Sequence, residues 1–240
     1  MIYLENLLTN PVEPLSIAAI IETALCVGSG GSSGSLADKP IVRRADGKLY
    51  IPASQLKGRI RHECEKLARG LGWPICHSPK PDLMCPQRQD LSAVEPQFQR
   101  NDYQVSNYDG YHCFVCQLFG NPTLPSRMIF DDLICETKFQ FSEVMRPGVT
   151  INRRRCVAED KKLYFLETSP MNTDLVFEGE ISFLPECSEA GKILILAALK
   201  QISALGGSKS TGLGWLRWET GDLDLAEEAW KKLVLNQDKI

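Results

Sequence analysis

The chain has 240 residues, 43 % of them hydrophobic, which is enough apolar material for one large core and excludes a mostly disordered protein. Its 27 basic and 30 acidic residues leave a net charge of −3, unevenly spread: Lys39 to Arg69 holds nine bases against three acids, Lys200 to Arg217 three bases and no acid, and Glu219 to Glu228 five acids and no base. The basic stretches suit a polyanionic partner, although charge alone does not establish one. Nine cysteines, an odd number, with no basic segment ahead of the apolar run Leu15 to Val27, point to a reducing, cytoplasmic compartment. Even Ile193 to Leu205 is broken by Lys200, Gln201 and Ser203, so no membrane contact is expected.

Residues 1–14 end in Asn10-Pro11 and Glu13-Pro14 and read as an N-terminal extension. Alternation over 15–27 predicts the first strand. Gly28 to Ser35 is almost wholly Gly and Ser, a flexible loop; it is no dinucleotide fingerprint, because Ser33 stands at the third glycine position and no helix follows. Ile41-Val42, a turn at Asp46-Gly47 and Leu49 to Ile51 make a hairpin leading to a helix. Ser54 is its expected N-cap, and Leu56, Ile60, Cys64, Leu67 and Leu71 give it an apolar face. Lys57 and Arg61 are neighbours on its opening turns, where free N–H groups also favour an anion; the bland reading is a solvated basic face.

Residues 70–120 are rich in proline and read as an insertion held by something other than a core. Cys113-Phe-Val-Cys116 is a CxxC half-site, and Cys76 and Cys85 complete a candidate tetrahedral set for structural Zn²⁺, with His62, His77 and His112 as alternative ligands. The competing reading is four incidental free thiols. Arg127 to Cys135 is strand-like. An extended hairpin is expected over 143–169, with Arg153, Arg154 and Arg155 either matched to phosphates or solvated at its tip. Asp174 to Phe183 alternates as a half-buried strand, and Ser188 opens a helix expected to run to Leu205 with Gly206 as its C-cap. Gly206 to Gly214 then resembles a P-loop, but the order is helix, loop, strand and no Gly-Lys-Ser/Thr ending is present. Its glycines, with Lys209, suit close approach to phosphates or to another chain. A strand over Trp215 to Trp218 and an amphipathic tail, 219–240, complete the chain.

Three features coincide: a Gly-rich loop leading to an Asp before a strand, Ile51-Pro-Ala-Ser-Gln-Leu-Lys-Gly-Arg-Ile-Arg61, and Gly206-Gly-Ser-Lys-Ser-Thr-Gly-Leu-Gly214 between the last helix and strand. Together they resemble the RAMP superfamily of CRISPR-associated proteins over about 15–218. Cys113 to Gly120 and Arg127 to Asp132 resemble stretches of backbone subunits in type III effector complexes, some of which carry a zinc-binding insertion. The resemblance implies an α+β fold: a ferredoxin-like or RRM-like core, the insertion at 70–120, and the hairpin 143–169 as a thumb that interrupts the guide–target duplex with Met145 or Val149 as apolar wedge. It implies guide RNA contacts from Ser54, Lys57, Arg61, the three arginines, Gly207, Lys209 and Ser210, with target RNA, other RAMP subunits and the large subunit as partners. In cutting members an Asp lies between the first strand and the helix motif; that position is Asp38, expected to serve metal-dependent cleavage with Mg²⁺ or another divalent ion. A non-catalytic structural or capping subunit is the alternative. A stand-alone processing nuclease lacks a placed general base.

Overall fold

The computed structural model describes residues 12–28, 37–86, 103–136, 143–171 and 174–220, together with Ala229 and Lys231. The Gly/Ser loop after Gly28, residues 1–11 and most of the tail expected as a helix lie outside the described residues.

Strand β1 (Glu13–Ile21) is central in the main sheet, flanked by β7 (Leu175–Phe183) and β8 (Leu216–Glu219). Beyond β7 lie two short strands, β3 (Met128–Phe130) and β4 (Leu133–Cys135), and β4 carries β2 (Tyr50–Ile51) at the edge. Every pairing is antiparallel. Helices α1 (Ala53–Gly70), α2 (Phe114–Phe119) and α3 (Glu189–Gln201) complete the main body. Leu56, Ile60 and Cys64 of α1 and Leu194, Ile195 and Ala198 of α3 share one core with Ile17, Ala19, Phe177 and Ile181 of the sheet. The period-2 pattern of β7 holds: Leu175, Phe177, Ile181 and Phe183 are buried, whereas Val176, Glu178 and Glu180 face outward.

Several boundaries differ from expectation. β1 begins at Glu13, inside the expected extension, and stops at Ile21. Residues 24–27 stay buried but leave the sheet, because their main chain bonds to other loops: Leu25 N donates to Ser169 Oγ (2.9 Å) and Val27 O accepts from Val42 N (2.9 Å). Arg127 to Cys135 splits into two strands around Asp131-Asp132. Helix α3 ends at Gln201, since Ile202 is extended (ψ 103°) and Ala204 bridges Trp215, so Gly206 is not its cap. Ser188 does cap its start, its side chain accepting from Gly191 N at 3.2 Å. Nor is the described part of 70–120 without a core, for Trp73, Ile75, Tyr103, Val115, Leu118 and Phe119 join the main cluster.

β5 (Val144–Asn152) and β6 (Val157–Thr168) form a separate two-stranded hairpin, turning at 153–156. It is tied to the main body along β6: Asp38 N donates to Phe165 O (3.0 Å) and Glu167 N to Lys39 O (3.1 Å). The Glu167 carboxylate accepts from Ile41 N (3.0 Å).

Candidate metal centre and nucleic-acid interface

The segment after α1 brings Cys76 and Cys85 against Cys113, which precedes α2, and Cys116 in that helix. All four are buried, at 4 %, 0 %, 0 % and 1 % exposure, and their sulfurs lie within 4.8 Å of one another. Cys76 is 3.6 Å from Cys116 and 3.8 Å from Cys113, far beyond the ~2.05 Å of a disulfide. Four sulfurs at ~2.3 Å from a tetrahedral Zn²⁺ stand about 3.8 Å apart. The donor set and its spacing therefore fit such an ion. The Cys113 N–H donates to Cys85 Sγ at 3.2 Å. Hydrogen bonds from neighbouring thiols, Cys113 first, hold Cys76 well below the ordinary thiol range, and the same network pushes Cys85 up. The histidines stand apart from this group: His62 and His77 are exposed, and Nδ1 of buried His112 is paired with Asn121 Nδ2 at 2.8 Å.

Arg61 departs from its expected place on the RNA side. Its side chain turns inward, donating from Nη1 to Gly120 O (3.0 Å), from Nη2 to Cys116 Sγ (3.4 Å) and from Nε to Glu65 Oε1 (3.2 Å). Burial lowers its pKa, but Cys116 and Glu65 outweigh that, and the net direction is upward. Lys57 sits 5.9 Å from the Phe130 ring centroid, its pKa lowered by burial and then by Arg61. Ser54 is exposed in the first turn but is not the cap: Pro52 precedes the helix, and Asp132 Oδ1 accepts from Ala53 N at 2.7 Å. An acid of this chain thus occupies the helix start that the sequence offered to phosphate. Sequence reasoning missed that role, although Asp131-Asp132 was in plain view as the signal.

Asp38 is exposed at the foot of the hairpin. Its Oδ2 accepts from Phe165 N at 2.7 Å, and Oδ1 has no partner among the described residues. Met145 and Val149 are 41 % and 45 % exposed, and lie on one face of the hairpin opposite Glu167 and Leu163 respectively. Arg153, Arg154 and Arg155 are all exposed in its tip turn, where Asn152 Oδ1 accepts from Arg154 N and Arg155 N.

In the late glycine loop, close approach is to this chain's own backbone. Gly207 N donates to Cys26 O (2.7 Å) and Gly214 N to Ala24 O (2.8 Å), so neither N–H is open to a phosphate. A Cβ on Gly206 would lie 2.6 Å from Cys26 O. Lys209 and Ser210 are exposed in the 3₁₀ turn Lys209–Thr211, with Lys209 Nζ on Gly206 O at 3.0 Å.

The RAMP superfamily model matches residues 20–217, from the end of β1 to the start of β8, and takes in α1, α2, α3 and the hairpin. A search of curated proteins finds no match.

Proposed function

This chain belongs to the RAMP superfamily of CRISPR-associated, RNA-binding proteins, and we propose that it is a backbone-type subunit of a type III effector complex that grips guide RNA and cleaves target RNA beside Asp38. The foot of the hairpin carries this reading: Asp38 is fixed by one oxygen on Phe165 N while the other has no partner among the described residues, one strand away from the exposed Met145. The strand order supports a ferredoxin-like core, with β1–α1–β4 as one split βαβ unit, β7 lying between its strands, and β7–α3–β8 as the other, with β1 between. The β5–β6 hairpin is then the thumb, with Met145 and Val149 as the apolar wedge. Guide RNA lies along Lys57, Lys209 and the tip arginines, held by its backbone while base pairing reads the target. Its partners are guide RNA, target RNA, other RAMP subunits and the large subunit. No described helix is long and apolar enough to cross a membrane.

Cys76, Cys85, Cys113 and Cys116 hold a structural Zn²⁺ that fastens the segment after α1 onto α2; bound there, the ion supplies folding energy and no chemistry. At Asp38 the protein alone makes no comparable site. Among the described residues the four cysteines are the only cluster of three or more metal-ligating side chains, so a divalent ion beside Asp38 depends on RNA oxygens. What the chain's own residues do is accept, at Asp38 Oδ1, a hydrogen bond from the attacking 2′-hydroxyl, and hold that oxygen in line with the adjacent phosphorus.

A structural subunit is the second reading, and one observation favours it: capping Phe165 N is by itself a sufficient task for the Asp38 carboxylate. Asp38→Asn separates the two, because the amide oxygen can still accept from Phe165 N. In the reconstituted complex with labelled complementary RNA, in Mg²⁺ and in EDTA, loss of one cut with target binding retained supports catalysis. An unchanged cutting pattern assigns the chemistry to a neighbour and leaves this chain as a guide-RNA scaffold.

A further inference from the structure

Arg61 is spent inside the protein, and its three partners define what it does there. Gly120 is the C-cap of α2, and its carbonyl is among those with no helical N–H partner. Cys116 contributes one of the four clustered sulfurs, and Glu65 lies one turn along α1 and fixes the guanidinium's angle. One side chain of α1 therefore stitches both the thiol group and the C-cap of α2. Four thiolates around a divalent cation carry a net charge of 2−, in a place where all four sulfurs are buried; a cation 3.4 Å from one of them offsets that charge. Lys57 lies one turn away over Phe130 and does not reach this position.

We propose that Arg61 is a positioning residue of the cysteine metal centre, its Nη2 donating to the Cys116 sulfur so that metal loading and the seating of α1 on α2 are coupled. The proposal rests on the metal-centre reading above. Arginine is required because its planar fork meets a sulfur, a carbonyl and a carboxylate together, which a single ammonium does not do. Hydrogen bonds to ligating atoms commonly carry 10- to 100-fold in metal affinity.

The test uses the full chain loaded with Co²⁺ or Zn²⁺ in competition with a chromophoric chelator, comparing wild type with Arg61→Met, Arg61→Lys and Glu65→Gln. Arg61→Met is expected to weaken metal binding about 10- to 100-fold and to move the thiolate-to-cobalt charge-transfer band to lower energy, because its sulfur loses a donor. Arg61→Lys should recover part of the affinity, and Glu65→Gln should change it least. A purely structural arginine would leave the band where it is. Should Arg61→Met fail to fold, Arg61→Lys gives the same two readouts, and wild-type affinity with an unmoved band overturns the proposal. If the wild type takes up no stoichiometric metal, the metal-centre reading fails and this proposal fails with it.

Discussion

Replacing Gly214 and, separately, Gly212 by alanine divides the two reasons for keeping a glycine in the loop after α3. Both have left-handed backbone, φ +73° and +89°, which costs a residue with a Cβ about 1–2 kcal/mol. Gly212 has nothing within 4 Å of a Cβ, so that is its whole cost. A Cβ on Gly214 would sit 1.9 Å from Leu205 O, and no side-chain rotation relieves a clash with main chain. The two backbones must part by about 1 Å. Around them Leu205 N donates to Gly214 O (2.9 Å) and Gly214 N to Ala24 O (2.8 Å). Losing both bonds adds about 2 kcal/mol, for a total of about 3–4 kcal/mol. At roughly 2–4 °C per kcal/mol for a chain of this size, thermal melting should fall by a few degrees for Gly212→Ala and by about 10 °C for Gly214→Ala. Equal losses from the two would refute the reasoning, because they would mean that the loop moves freely away from Leu205.

Cys85→Ser should lower metal content below the one ion per chain expected of the wild type and cost roughly 3 kcal/mol, about a quarter of the binding energy typical of a structural zinc site. Cys64→Ser is its control, since Cys64 is equally buried but points to Leu194 O outside the cluster. A metal-free wild type with an unchanged melting temperature would refute the site. Exchanging Arg153, Arg154 and Arg155 together for Gln should reduce the slope of log affinity against log salt, measured on single-stranded RNA, by about 2, that is ~0.7 for each phosphate no longer neutralised. An unchanged slope would make the hairpin tip a solvated turn.

The elements most legible in the sequence are those with a clean period. β7 alternates over nine residues, and α1 repeats its apolar positions over four turns; both follow from burial on one face, which is a local property of the sequence. The cysteine cluster was legible for a different reason: thiols in that spacing have few uses, and only their gathering needed the fold. What stayed hidden depends on partners distant in sequence. Ser54 looks like a cap until Asp132, 79 residues from Ala53, arrives at the helix start. Lys57 and Arg61 look alike on a helical wheel, yet the approach of Cys116 and Gly120 turns one of them inward. In the same way Gly207 and Gly214 look available to a phosphate until residues 24–26 take their N–H groups.

The charge of the sheet narrows where RNA can lie. β1 and β7 turn Leu15, Ile17, Ala19, Phe177 and Ile181 toward the helices and Ser16, Ala18, Glu178 and Glu180 toward the opposite face. With Glu136 and Glu219, these acids put four carboxylates around a groove on that face. An RNA-recognition sheet reads bases by stacking them on aromatic side chains of its open face. Here the one aromatic among the described lining residues, Trp218, is tied through Nε1 to Ile202 O at 3.0 Å. Like charge opposes a phosphate backbone in that groove. Lys48 pairs with Glu136 and Arg217 stands 3.9 Å from Glu219, but Glu178 and Glu180 have no such partner among the described residues. The arginines of the hairpin tip, Lys57 on the opening turns of α1 and Lys209 in the late loop do not line the groove. On the function proposed above, an RNA strand runs along the hairpin and the loop edges, where its bases stay free to pair, rather than across the acidic face of the sheet.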